Sequence, residues 1–188
     1  FSYEDANTGF GIDLRQAEEN FVRNNTVIGT GPNGMQGGIY VEDGDDNTIC
    51  CSTFEDTHFG ALFDGYCDNT TIRHNRFVSN FIGLQCNEAT RIGEQINAGN
   101  TWEQSLLWSA EHLSTNAADV TQSQFHVDMN AGPTIAPILI FVAAAGTDWF
   151  VPGAAALSCE QDRNNCVRDG KKALTLKSEN VTDIGLGN

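Results

Sequence analysis

The chain has 188 residues, a formal charge of −15 and a pI near 4.3, with hydrophobic residues at 40%. That apolar content supports a folded core and excludes a disordered tail, while the negative surface argues against nucleic acid and anionic lipid as partners. Glycine is abundant (19) and proline scarce (4), which suits short strands joined by tight turns.

In chain order, two landmarks recur. A glycine introduces an apolar alternation in Gly11-Ile12-x-Leu14, Gly38-Ile39-x-Val41, Gly60-Ala61-x-Phe63 and Gly83-Leu84-x-Cys86. An apolar, polar, large-apolar pattern follows in Val22-x-x-Asn25-x-Val27, Ile49-x-x-Ser52-x-Phe54, Ile72-x-x-Asn75-x-Phe77, and then Asn100-Thr101-Trp102. The glycines step by 27, 22 and 23 residues and the large apolar positions by 27, 23 and 25. The landmarks keep register with each other while the loops absorb the differences. Units this short cannot bury their apolar side chains alone. Stacked at about 4.8 Å per coil they form parallel sheets around one core. Val27, Phe54, Phe77 and Trp102 are then expected to form an internal column, and Asn25, Ser52, Asn75 and Asn100 a polar ladder at a bend.

These residues resemble the parallel β-helix repeat of the pectate-lyase-like superfamily, best in Ile72-Arg73-His74-Asn75-Arg76-Phe77 with Gly83-Leu84 and in Val22-Arg23-Asn24-Asn25-Thr26-Val27 with Gly38-Ile39. The resemblance implies an all-β right-handed parallel β-helix with an irregular C-terminal capping segment. Coils are expected over 1–102, a plug over 103–157, and a neutral extension or the start of a further module over 158–188. The fold hosts lyases, hydrolases, epimerases, adhesins and phage tailspikes, so it does not by itself assign a function.

From Glu103 onward the repeat fades. Trp102, Leu106, Ala110 and Leu113 suit either a short amphipathic helix or a looser wrap, and Phe125-His126-Val127-Asp128-Met129 alternates like a strand. The apolar stretch Gly132 to Leu157 suits a cap. With Gln124-Phe125-x-Val127, Trp149-Phe150 and Cys159 it is similar to the segment that follows β-helix repeats in very large surface proteins of gliding and filamentous Bacteroidetes-type bacteria. Its apolar run is too short to insert in a membrane. The acidity stops near Leu157: the 31 residues from Ser158 carry five acidic and five basic side chains. The chain opens within a repeat, so further coils are expected before Phe1.

Acidic turn residues are the first candidate site. Glu42, Asp43, Asp45, Asp46 and Asn47 follow one strand, and Asp64, Asp68 and Asn69 follow its equivalent one coil later. Stacking brings Asp43, Asp45, Asp46, Asp64 and Asp68 together as oxygen ligands for calcium, or they simply make turns. The pair Asp45-Asp46 resembles the adjacent aspartates of β-helical polygalacturonases, but the companion motifs of that family are missing. A uronate lyase would need basic residues, and the repeat has only Arg15, Arg23, Arg73, Arg76 and Arg91. Cys51 and His74 fall at equivalent positions below Asn24, as a nucleophile and base would, or as packing beside the core. His58, His112 and His126 stand alone and read as surface or satisfied histidines.

Six cysteines without zinc spacing point to an oxidising compartment. A Cys159–Cys166 disulfide is expected, and Cys67 is expected to reach Cys86 in the adjacent coil. One of the adjacent Cys50 and Cys51 should be a buried thiol, because they point to opposite faces. These features favour a non-enzymatic structural or adhesive module of a large secreted or cell-surface protein, in contact with other domains or copies of the assembly or with a surface glycan. The rival is a carbohydrate-active enzyme or carbohydrate-binding module.

Overall fold

A computed structural model describes residues 9–31, 34, 36–96, 98–130 and 137–154. The first coil holds β1 (Phe10–Arg15), β2 (Phe21–Arg23) and β3 (Thr26–Ile28). The second holds β4 (Gly37–Glu42), β5 (Thr48–Cys50) and β6 (Thr53–Glu55), and the third β7 (Phe59–Asp64), β8 (Thr71–Arg73) and β9 (Arg76–Val78). The fourth holds β10 (Ile82–Cys86), β11 (Gln95–Ile96) and β12 (Thr101–Glu103). Then come β13 (Trp108–His112), the one-turn helix α1 (Ala117–Thr121), β14 (Phe125–Val127), β15 (Ile140–Val142) and β16 (Phe150–Pro152).

All strand pairs are parallel and join a strand to its equivalent in the next coil. The long wall is a six-stranded sheet in the order β1-β4-β7-β10-β13-β15. A second wall begins as β2-β5-β8 and is followed by β11-β14-β16, and the third is β3-β6-β9-β12. The chain is a parallel β-solenoid of about five turns, as the repeat predicts. The ladder does not stop at Trp102. β13 pairs with β10, and β15 with β13, so the segment read as helix or looser wrap is strand.

Columns of equivalent residues fill the interior. Ile39, Ala61, Leu84 and Ala110 form one, and Val41, Phe63, Cys86 and His112 another. The expected aromatic column is present: Val27 pairs with Phe54, Phe54 with Phe77 and Phe77 with Trp102. Their rings stack at 5.7 and 5.8 Å between centroids. The glycine landmark exists because these rings press on it. A Cβ on Gly60 would collide with the Gly83 carbonyl and stand 2.6 Å from the Phe77 ring, and one on Gly83 would stand 2.8 Å from Trp102.

The polar ladder also forms. The Asn25 N–H donates to Ser52 Oγ (3.2 Å), the Ser52 N–H to Asn75 Oδ1 (3.0 Å) and the Asn75 N–H to Asn100 Oδ1 (2.9 Å). The side-chain amides of Asn75 and Asn100 donate back to the carbonyls of Ile49 and Ile72, each at 2.8 Å. Every coil thus closes buried backbone groups of the coil beside it, which would otherwise cost about 1–3 kcal/mol each. A second polar stack lies at the next bend. There Asn47 joins the first two coils through the Asn20 N–H and the Ala17 carbonyl, and Gln95 bridges the Ile72 N–H and the Thr70 carbonyl.

Candidate functional site

Corners of the solenoid repeat a left-handed residue. Asn24, Cys51, His74 and Gly99 mark one corner, at φ 55°, 55°, 54° and 60°. Asp43 (46°) and Asp46 (56°) belong to two other such columns, the latter with Glu19 (56°) and Asn69 (58°). Asparagine and aspartate tolerate this backbone because their short side chains bond locally. The acidic turn residues are therefore first of all corner residues.

Their carboxylates also join coils. Asp43 Oδ1 accepts from the Tyr66 N–H (3.1 Å) and Asp45 Oδ1 from the Asp68 N–H (2.8 Å). Asp68 Oδ2 pairs with the Arg91 guanidinium at 3.1 Å, and that guanidinium lies 4.3 Å from the Tyr66 ring centre. Asp64 Oδ2 accepts from the Tyr40 hydroxyl at 3.4 Å, one strand away on the outside of the long sheet. Asp43, Asp45 and Asp68 thus each spend an oxygen on the neighbouring coil. Asp68 also lines a shallow depression of about 550 Å³ with Asn69, Gly93, Glu94, Thr121 and Gln122.

The outer face of the long sheet is more apolar than the sequence suggests. Phe59 and Ile82 pair in one outward column, which continues to Trp108, and Tyr40 and Leu62 pair in the next. Phe10 stacks on Tyr40 at 5.0 Å, and the Arg15 guanidinium lies over the same ring at 4.9 Å. Burial, and then the charge of Asp64, raises the Tyr40 phenol well above its ordinary value. Further along, Trp108 meets Phe141 at 5.6 Å, and burial raises the pKa of the Glu111 carboxyl, the partner of Phe141 in the ladder. Leu106, Leu107 and Ile138 to Phe141 are exposed nearby.

Cys67 and Cys86 are both buried thiols, so the expected bridge between them is absent. Cys67 directs its S–H toward the carbonyls of Asp64 (3.5 Å) and Val41 (3.7 Å) instead, while Cys86 faces the core between Phe63 and His112. Burial pushes the Cys67 thiol up to about 11 and Cys86 well above its ordinary value. Cys50 is the buried thiol of the adjacent pair. Cys51 is disulfide-bonded, so it offers no thiol for the nucleophile reading with His74. The expected Cys159–Cys166 bridge lies outside the described residues.

His58 stacks on Phe81 at 4.8 Å, and His126 Nε2 is 2.7 Å from Glu94 Oε1. His112 departs from the expectation of a surface or satisfied histidine. It is fully buried, its Nδ1 accepts from the Ser114 N–H at 3.3 Å, and its Nε2 has no hydrogen-bond partner among the described residues. Trp149 lies edge-on to its ring at 4.9 Å. Burial lowers its pKa to about 4, against a smaller opposing effect of Asp119, which itself accepts from the Ser114 hydroxyl at 2.7 Å. Its place in the Cys86 column became legible only once the coil after Trp102 was seen to continue.

A family model described as periplasmic copper-binding protein (NosD) matches residues 4–109, more than half of the chain. No curated protein and no solved structure matches it. Copper in proteins is held by thiolate, thioether and imidazole donors. Among the described residues no three histidine, cysteine, aspartate or glutamate side chains form a group that could hold a metal ion. The described side chains therefore assemble no group that would hold copper.

Proposed function

Because the chain belongs to the NosD family, described as periplasmic copper-binding proteins, we propose that it is a non-enzymatic structural or adhesive module of a secreted or cell-surface assembly. The supporting observation is where its polar groups go. Asp43, Asp45, Asn75 and Asn100 all hold one coil to the next, which is the work of a rigid spacer. Its partners are then other domains or copies of the assembly. None of the described helices is long and apolar enough to cross a membrane. Incubation with neutral polysaccharides and polyuronates should release neither reducing ends nor unsaturated products. Turnover that disappears in Asp45→Asn or Asp64→Asn would replace this reading with an enzymatic one.

The outer face of the long sheet favours a second reading, binding of a surface glycan. Trp108 and Phe141 present neighbouring rings there, and aromatic faces suit sugar rings. Loss of glycan retention in Trp108→Ala, with the fold intact, would support it. Calcium at Asp43, Asp45, Asp46, Asp64 and Asp68 is a separate proposal. A rise in the unfolding midpoint with millimolar calcium, abolished by Asp68→Asn, would support it, and an unchanged midpoint would remove it.

A further inference from the structure

We infer that β15 is a self-association edge: two copies of this chain pair through it, antiparallel about a two-fold axis, with Phe141 against its own twin. The inference rests on the assembly reading above and names the surface that would serve it.

The ladder shows where the edge lies. β15 ends the long wall, and no further strand lies beyond it among the described residues. The Ser109 N–H donates to the Leu139 carbonyl at 2.8 Å, and the Ala143 N–H to the His112 carbonyl at 2.9 Å. Backbone groups alternate in direction along a strand, so Leu139, Phe141 and Ala143 bond toward β13. The N–H and C=O groups of Ile140 and Val142 then face the open edge. Ile140 also continues the inward column of Leu84 and Ala110, yet it is 36% exposed where Ala110 is fully buried.

The surroundings select the occupant. Leu106, Leu107, Ile138, Leu139, Ile140 and Phe141 are all exposed, and a contiguous apolar patch of this kind marks an interaction surface. An open edge within it calls for a strand. Charge then favours a second copy. The chain carries −15, yet between residues 137 and 154 the one charged side chain is Asp148. Two bodies of this charge repel wherever their acidic coils meet, and least at this end. The nearest carboxylate in the ladder, that of Glu111, stands one strand behind Phe141. At the other end of the same sheet β1 carries Asp13 and Arg15, charges of the sort that blunt an edge.

The register follows from the open groups. A two-fold axis beside Phe141 sets Ile140 opposite Val142 of the second copy, where the two exchange both backbone hydrogen bonds. Phe141 then faces its twin in a non-hydrogen-bonded pair, with Cα atoms about 4.5 Å apart. The contact is made on the outer face, where Phe141 already meets Trp108. Such an isologous pairing closes on itself and stops at a dimer.

Sedimentation of the full chain at up to about 100 μM, in low and high salt, tests this. A dimer of the 20.4 kDa chain is expected, tightening as salt screens the repulsion between acidic bodies. Phe141→Asp sets two carboxylates face to face, and Ile140→Pro removes an outward N–H without breaking a bond to β13. Each should weaken the dimer at least about tenfold, while Ile28→Asp, at an exposed apolar site of the first coil, should leave it unchanged. In the parent chain, hydrogen exchange at the Ile140 and Val142 amides should slow as concentration rises. A parent that stays monomeric, a dimer that survives both β15 variants, or exchange that ignores concentration would overturn the inference. The exchange measurement decides it whether or not the variants fold. Polysaccharide turnover, which tests the non-enzymatic reading, is measurable on monomer and dimer alike, so the two can fail separately.

Discussion

The ring of Phe77 occupies the space in which a side chain on Gly60 would stand, two bends further along the same coil, and the Gly83 carbonyl of the next coil closes the remaining room. Glycine at this landmark is thus required by the aromatic column and not by backbone torsion. Gly60→Ala is expected to destabilise by about 1–3 kcal/mol through forced displacement of packed atoms. Gly9→Ala, with nothing within 4 Å, should change stability little. Urea unfolding of both variants checks the difference.

Asn75→Ala should be costlier than Asn25→Ala. Without Asn75 the buried Ser52 N–H and Ile49 carbonyl lose their partners, a loss of about 2–6 kcal/mol for two unsatisfied groups. Among the described residues the Asn25 side-chain amide serves the carbonyl of Arg23, two residues away in its own coil. Equal losses for the two variants, measured by denaturant midpoints, would show that the ladder is not cooperative.

Stability should fall as acid protonates His112. Its folded pKa of about 4 lies below the ordinary 6.5, so the unfolded chain takes up the proton first. The neutral ring's contribution is whole above about pH 6.5. It declines as pH falls from there toward 4 and reaches about 3 kcal/mol lost below that. Comparing unfolding free energies from pH 7.5 to 4 for the parent and His112→Phe isolates this slope from that of the carboxylates. A parent slope no steeper than the variant's would sink the assignment.

The Cys67 and Cys86 thiols should resist iodoacetamide at pH 8, because burial keeps the thiolate population small. Mass spectrometry should find them unlabelled in native protein and fully labelled in guanidinium. Rapid native labelling would mean that this part of the core opens readily.

Much of the fold could be read before the structure, because a repeat makes each coil a check on the others. Val27, Phe54, Phe77 and Trp102 fell at one phase of the period, and so did Asn25, Ser52, Asn75 and Asn100. The continuation past Trp102 was hidden because Ser109 stands where a glycine landmark would be, and because α1 interrupts the alternation. The second polar stack leaves no repeated residue type in the sequence, since its members change from Asn47 to Gln95 with Thr70 between. The aspartates were visible as a group, but their roles depend on left-handed torsions and on contacts across coils. The same break in the repeat that hid β13 also hid the place of His112 beside Cys86.

Corner length varies with position around the coil. Two residues separate β2 from β3, β5 from β6 and β8 from β9, whereas five, five, six and eight follow β1, β4, β7 and β10. The other bend, before each long strand, holds eight, three, three and four residues. One edge of the molecule thus stays short through the first three coils and widens to four residues between β11 and β12, where Asn100 still joins the asparagine ladder. The other two edges can lengthen without disturbing a single inward column. A lineage of such chains can vary its loops along those edges, acquiring new surfaces while the scaffold beneath stays the same.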